Sequence, residues 1–150
     1  MLQKFTKPIP KDRSHYCIFF HFPTRWRDND QYGHVNNAVY YELFDSAVNK
    51  FLIESGIPDM TGGTELFLVV SSGCNYFEEV TYPHDLEVGL SVSRLGGSSV
   101  TYDLGLFVAG KNLSSANGFL VHVNVGADDH RPKIINKSIR SKFWPLTKKN

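Results

Sequence analysis

Residues 25–56 read RWRDNDQYGHVNNAVYYELFDSAVNKFLIESG, and they decide the fold because they contain one long amphipathic pattern. Asn36 or Asn37 can cap the start of a helix here, and Gly56 can stop it. The pattern predicts a helix over residues 37–55. Its apolar side chains recur at the i, i+3, i+4, i+7 spacing of one helix face: Tyr40, Leu43, Phe44, Ala47, Val48, Phe51 and Leu52.

The remainder of the chain is typical of β-strands. Residues 15–26 are rich in aromatic and β-favouring side chains and predict a first strand before the helix. Four more strands are predicted after it, over residues 65–80, 86–93, 100–108 and 119–125, and glycines lie in the last two of the turns that join them. Hairpin-linked strands pair antiparallel, and a sheet with one apolar face needs a cover. The sequence therefore predicts an α+β fold, a curved antiparallel sheet wrapped around one long central helix, with a short helix over residues 136–143.

Composition limits the classes of protein that this chain can belong to. With 150 residues, 41% of them hydrophobic, it fits a single domain over residues 1–150, in which the leader 1–14 and the tail 136–150 are peripheral. The net charge of +1 gives no indication of nucleic acid or membrane as a partner. No apolar run approaches the roughly 18 residues of a membrane span, so we expect a cytoplasmic protein. The cysteines and histidines lack metal-ligand spacing, so no metal is expected.

The turns just ahead of the helix carry Asp28, Asp30 and His34. The backbone N–H groups at a helix start lack partners and gather positive partial charge, so an acid and an imidazole placed there can meet an electrophilic carbonyl held by those donors. This is the outline of a hydrolytic site. The ordinary alternative for Asp30 is an Asx turn or an N-terminal cap.

The pattern W-x-D-x-D-x-x-G-H-V-N-N-x-x-Y, which runs from Trp26 to Tyr40, resembles that of the hotdog-fold acyl-CoA thioesterases of the 4-hydroxybenzoyl-CoA thioesterase type. The late segment GFLVHVNVGADDHRPKIINKSIRSKF, residues 118–143, is similar to the closing strand and terminal helix of that family. The resemblance implies a hotdog fold and hydrolysis of an acyl-CoA substrate without a cofactor. It also implies a homodimer or homotetramer, in which two sheets join edge to edge and each site draws on both subunits.

The resemblance also implies roles for individual residues. Asp30 matches the nucleophile or general base, and Asp28 is the less favoured catalyst. His34 resembles the histidine of plant acyl-carrier-protein thioesterases; it orients water or substrate, or hydrogen-bonds within the turn. Backbone N–H groups from residues 33 to 37 are suited to polarise the thioester carbonyl. Beside the catalytic pair Asp30 and His34, the expected substrate-binding residues are Gly33, Val35, Asn36, Asn37, Tyr40, Ser72 and Gly73.

Several alternatives stay open at this point. Ser72 and Gly73 interrupt an apolar strand, which a bulge or a close backbone approach also explains. Glu42, on the polar face of the helix, is expected to be solvated or to face another subunit. The sequence does not specify which acyl group the substrate carries. The candidates to line its pocket are Tyr40, Tyr41, Phe44 and the loop 58–64. A hotdog hydratase or dehydratase, or a non-catalytic acyl-CoA-binding protein, are the competing functions.

Overall fold

The helix predicted for residues 37–55 is present as α1, Asn37–Glu54. The computed structural model describes residues 6–57 and 63–147. In chain order the strands and helices are β1 (Ile18–Pro23), α1, β2 (Glu65–Tyr76), β3 (Asp85–Leu95), β4 (Ser99–Val108), β5 (Ala116–Gly126) and α2 (Lys137–Phe143). Asn36 caps α1 by accepting a hydrogen bond from the Ala38 amide at 2.9 Å, and Gly56 follows with a φ of 69°.

The five strands form one antiparallel sheet in the order β1-β3-β4-β5-β2, so β1 and β2 are its edges. The first strand is shorter than the predicted 15–26, because 3₁₀ turns at Arg13–His15 and Trp26–Asp28 bound it. The second strand ends at Tyr76 rather than at residue 80. The prediction of one antiparallel sheet with a long helix packed on it is confirmed.

The core lies between α1 and one face of the sheet. All seven apolar positions predicted for the helix are buried. Phe44 packs directly on the backbone of β5, where a Cβ at Gly118 would lie 2.4 Å from the ring. Within the described ranges no helix has the length and hydropathy that a membrane span requires.

Strand β5 presents its less hydrophobic set of side chains to the helix. Leu120, His122 and Asn124 are buried, whereas Phe119 on the opposite face is 43% exposed. His122 is 2% exposed and lies among aromatic rings, with its Nδ1 3.3 Å from the Tyr102 hydroxyl and its ring 5.9 Å from that of Phe67. Burial lowers the pKa of His122 to about 4.

The buried imidazole of His122 makes acid destabilisation an expected property of the fold. His122 takes up a proton near pH 6.5 in the unfolded chain but only near pH 4 in the folded chain. Between these values protonation favours the unfolded chain, so the free energy of unfolding decreases as the pH falls from 6.5 to 4. The complete loss, reached below pH 4, is about 3 kcal/mol, and about 2 kcal/mol of it is reached at pH 5. Urea unfolding of the wild type and of His122→Gln at about pH 7.5 and about pH 5 tests this. An equal loss of stability in both proteins would contradict it.

Candidate functional site

A tight turn places Asp30 just ahead of α1. The Asp30 amide donates to the His34 carbonyl at 2.8 Å, and the Gly33 amide donates to the Asp30 carbonyl at 3.1 Å. Gly33 has a φ of 79° and open space where a Cβ would lie, so the turn geometry rather than close packing accounts for this glycine. Asp30 Oδ1 accepts from the Tyr32 amide at 2.8 Å, which is an Asx turn, while Oδ2 accepts no hydrogen bond from the described part of the chain.

Asp28 differs from Asp30 because it is fully engaged in holding the loop. It is 4% exposed, its Oδ1 accepts from Arg25 Nη2 at 2.8 Å, and its Oδ2 accepts from the Arg25 amide at 2.7 Å. Burial alone raises the pKa of the Asp28 carboxyl, but the hydrogen bonds and charge of Arg25 outweigh burial and hold that pKa below its usual value. The same guanidinium binds Glu42 Oε1 at 3.1 Å, which ties the loop to α1.

The start of α1 leaves two backbone donors unclaimed. Across residues 33–37, the amides of Gly33, Val35 and Asn36 donate to the carbonyls of Asp30, Val80 and Asp28. The amides of His34 and Asn37 find no acceptor among the described residues. No acidic residue occupies the first turn of α1, so the positive partial charge at the helix start is not offset by a side chain of that turn.

Asp30 and the start of α1 line a cavity of about 250 Å³. It brings together five of the predicted site residues, which are Asp30, His34, Val35, Asn37 and Tyr40. Four of its lining residues were not predicted, namely Tyr76, Phe77, Glu78 and Glu79. The only sequence signal for them was a pair of glutamates in the segment assigned to the second strand.

His34 has a carboxylate partner in this cavity. Its Nε2 lies 3.0 Å from Glu79 Oε2, and both side chains are accessible to solvent. A carboxylate at this distance accepts a hydrogen bond from the imidazole ring and favours one orientation of it. The pair therefore orients His34 within the cavity that Asp30 also lines.

Four predicted residues do not join the cavity within one chain. The Asn36 side chain is used as the helix cap, and Gly33 lies in the exposed turn. Ser72 and Gly73 lie further along β2, after a register shift between Val69 and Ser71. The Phe119 ring occupies the space where a Cβ of Gly73 would project, so the predicted bulge and close approach are both present.

Other expectations for the pocket lining have mixed outcomes. Phe44 is buried against Gly118 in the core, and Tyr41 is 39% exposed on the helix surface. Of the loop 58–64, residues 58–62 lie outside the described residues. Glu42 is exposed and paired with Arg25 rather than free.

Cavities of about 360 and 560 Å³ lie elsewhere, the first beside His15 and Trp144 and the second beneath the leader at Lys7 and Ile9. Neither contains a predicted site residue. In residues 6–57 and 63–147, no three histidine, cysteine or acidic side chains converge as metal ligands would. The cavity at the helix start is therefore the candidate active site.

The Asp28 network predicts a stability defect rather than a chemical one. Asp28→Asn removes a charge-assisted contact with Arg25 and leaves a buried amide in its place, so we expect a loss of about 1–3 kcal/mol in the free energy of unfolding. Chemical denaturation measures this loss. The variant should keep most of its turnover at low temperature, where it stays folded; a collapse of turnover in fully folded protein would assign Asp28 a chemical role instead.

Comparison with known proteins identifies the family. The family model described as the thioesterase superfamily matches residues 32–114. The PA5185 protein from Pseudomonas aeruginosa strain PAO1 is 47% identical, with a TM-score of 0.89 over 93% of this chain and 97% of that one. The PA2801 protein from Pseudomonas aeruginosa is 30% identical, with a TM-score of 0.76 over 84% and 97% of the two chains. Slr0204, a 1,4-dihydroxy-2-naphthoyl-CoA thioesterase from Synechocystis, is 14% identical and shares the fold, with a TM-score of 0.77 over 85% and 96%. The chain belongs to the thioesterase superfamily, as the motif at the start of α1 predicted.

Proposed function

We propose that this thioester hydrolase cleaves an acyl-CoA to a free carboxylic acid and CoA, with Asp30 as its base or nucleophile. One observation carries the proposal. Asp30 Oδ2 accepts no hydrogen bond from residues 6–57 or 63–147, and it lies in the same cavity as the first residue of α1, Asn37, whose amide finds no acceptor in those ranges. Attack on a thioester requires both a base and a donor to the carbonyl oxygen.

The reaction follows from these positions. The amide of Asn37, supported by the positive end of α1, donates to the thioester carbonyl oxygen and stabilises the negative charge that develops there. Asp30 takes a proton from water as the water oxygen bonds to the carbonyl carbon, and the tetrahedral adduct then expels the CoA thiolate. In the covalent variant the Asp30 oxygen attacks the carbonyl carbon and the CoA thiolate is expelled, and water then hydrolyses the resulting anhydride to release the acid and Asp30. His34, held by Glu79, is placed to orient the water or the substrate.

The His34–Glu79 pair also supports a second candidate, a hydratase or dehydratase acting on acyl thioesters. Such an enzyme needs a histidine and an acid at the α and β carbons of the acyl group. Asp30 has no task in that reaction, and the family is one of thioesterases. Conversion of 3-hydroxyacyl-CoA to enoyl-CoA without release of CoA would favour this candidate over hydrolysis.

The assembly is proposed to be a homodimer that pairs through β2. This strand is an edge of the sheet, and consecutive apolar side chains on it are exposed, with Leu68 at 36%, Val69 at 50% and Val70 at 60%. An unpaired apolar edge is a template for joining another strand. Pairing of two β2 strands would cover it and carry Ser72 and Gly73 to the subunit boundary, where the resemblance places them.

The direct test is release of free thiol from a panel of acetyl-, butyryl-, octanoyl-, palmitoyl- and benzoyl-CoA. We expect turnover of at least one of these substrates well above the rate in buffer. The panel spans aliphatic and aromatic groups because the substrate of Slr0204, a protein that shares only the fold, does not specify the substrate here. Tight binding without turnover of any substrate would identify a non-catalytic acyl-CoA-binding protein.

A further inference from the structure

Two tyrosine rings bridge α1 and β2 at the candidate active site. Tyr40 from α1 and Tyr76 from β2 both line the Asp30 cavity, and their ring centroids lie 4.9 Å apart at an interplanar angle of 81°. The Tyr76 hydroxyl donates to the Asn37 carbonyl at 3.3 Å, which fastens this ring across the first turn of the helix. Tyr40 is 3% exposed, and burial raises its pKa to about 12, so it stays neutral at physiological pH.

Beyond Tyr76, the helix-facing side of β2 carries small side chains. Side chains alternate along a strand, so Cys74 and Ser72 project on the same side as Tyr76. The register agrees, because Cys74 lies opposite Gly118, whose missing side chain would point at α1, and Ser72 lies opposite the buried Leu120. Ser72 is nevertheless exposed, so in the described chain α1 does not cover this part of the strand.

The cavity is small, so the positions of the two tyrosine rings limit the length of acyl group that it can hold. The part of the cavity that one chain forms has a volume of about 250 Å³, below the roughly 300–1,000 Å³ of pockets that enclose drug-sized ligands. An acyl chain entering beside Asp30 has the Tyr40 and Tyr76 rings in its path. A fatty chain can extend past them only where a ring is absent or displaced, along the strip formed by Cys74 and Ser72.

We propose that Tyr76 is a specificity-determining residue that restricts the enzyme to acyl groups no larger than a benzoyl ring. The inference rests on the proposed hydrolysis of acyl-CoA at this cavity. With the Tyr76 ring in place, short acyl groups reach Asp30 and the helix start while long chains are rejected. Without it, the cavity continues along β2 and accepts a chain of medium length.

The test compares kcat/KM for butyryl- and octanoyl-CoA in the wild type, Tyr76→Ala and Tyr76→Phe. A single methylene in an apolar pocket changes kcat/KM by about 10–200-fold, so the octanoyl-to-butyryl ratio should rise at least about tenfold in Tyr76→Ala. Tyr76→Phe keeps the ring and should keep the wild-type ratio. Tyr82→Ala is the matched control, because this tyrosine is comparably exposed and packs on Trp26 outside the cavity. A wild-type ratio in folded Tyr76→Ala, or a wild type that prefers palmitoyl-CoA, overturns the proposal.

A binding measurement separates failure of this inference from failure of the proposed function. Calorimetry with the unreactive thioethers S-butyl-CoA and S-octyl-CoA reports on the pocket without any hydrolysis. A gain in affinity for S-octyl-CoA in Tyr76→Ala supports the role of Tyr76 even where no thioester is cleaved. Unchanged relative affinities overturn that role whether or not the wild type is active. If Tyr76→Ala does not fold, Tyr76→Leu, which retains an apolar contact for Tyr40, replaces it in both measurements.

Discussion

Asp30→Asn is expected to lower kcat for acyl-CoA hydrolysis by about 10²–10⁴-fold, the contribution typical of a positioned base. The asparagine amide has the shape of the carboxylate, and its oxygen can still accept from the Tyr32 amide, so the turn should survive. What is lost is the basic, nucleophilic oxygen Oδ2. Binding of an unreactive acyl-CoA thioether should therefore change little while release of free thiol nearly stops.

The matched control for this substitution is Asp128→Asn, an exposed carboxylate in the turn after β5 and outside the candidate site. It should hydrolyse acyl-CoA at the wild-type rate. Turnover that persists in Asp30→Asn at the level of the control would show that Asp30 has no chemical role. Uptake of label by Asp30 in single-turnover hydrolysis in heavy-oxygen water would identify it as the nucleophile, because a general base keeps both of its oxygens.

Val70→Lys is expected to convert the proposed dimer to a monomer and to remove most of its activity. Val70 is 60% exposed and is the extra residue at the register shift in β2, so a lysine there costs the isolated fold little. In a symmetric pairing of two β2 strands, the substitution places a charge from each subunit at an apolar interface, and charged edge residues block strand addition. Analytical ultracentrifugation gives the mass, and thiol release gives the activity.

The control for the edge substitution is Ile134→Lys, which makes the same change at an apolar side chain that is 79% exposed and is not part of β2. It should retain the wild-type mass and turnover. A Val70→Lys protein that keeps the wild-type mass would exclude this edge as the interface. A fully active monomer would show instead that one chain completes the site.

The helix was predictable because its signals are local. The apolar spacing, the Asn36 cap and the Gly56 stop all lie within the segment that they shape, and each keeps its predicted role. The strands of the hairpins were predictable for the same reason. The inner and outer faces of β5 were not, because Phe119 and Val121 look as apolar as residues of a core strand while His122 and Asn124 are the ones that are buried.

The candidate site was predictable only where one segment supplies it. Asp30, His34 and Asn37 lie within eight consecutive residues, so the motif alone brought them together. Tyr76, the last residue of β2, and Glu79, which follows that strand, line the same cavity although they lie more than 30 residues after Asn37 in the chain. Their approach depends on the antiparallel register of the sheet, which no local pattern encodes. The ordinary structural role of Asp30, the Asx turn, is present, and it leaves the second carboxylate oxygen available for the proposed chemical role.

The acid-free first turn of α1 sets stability against activity in this enzyme. Helix starts favour aspartate or glutamate there, because a negative side chain gains up to about 1 kcal/mol from the helix dipole. Residues 37–40, Asn-Ala-Val-Tyr, forgo this gain. In the proposed mechanism the helix dipole is thereby left to stabilise the negative charge that appears on the substrate only during reaction. Selection for thermostability alone would tend to place an acid in this turn, and the enzyme would become a better folded and poorer catalyst.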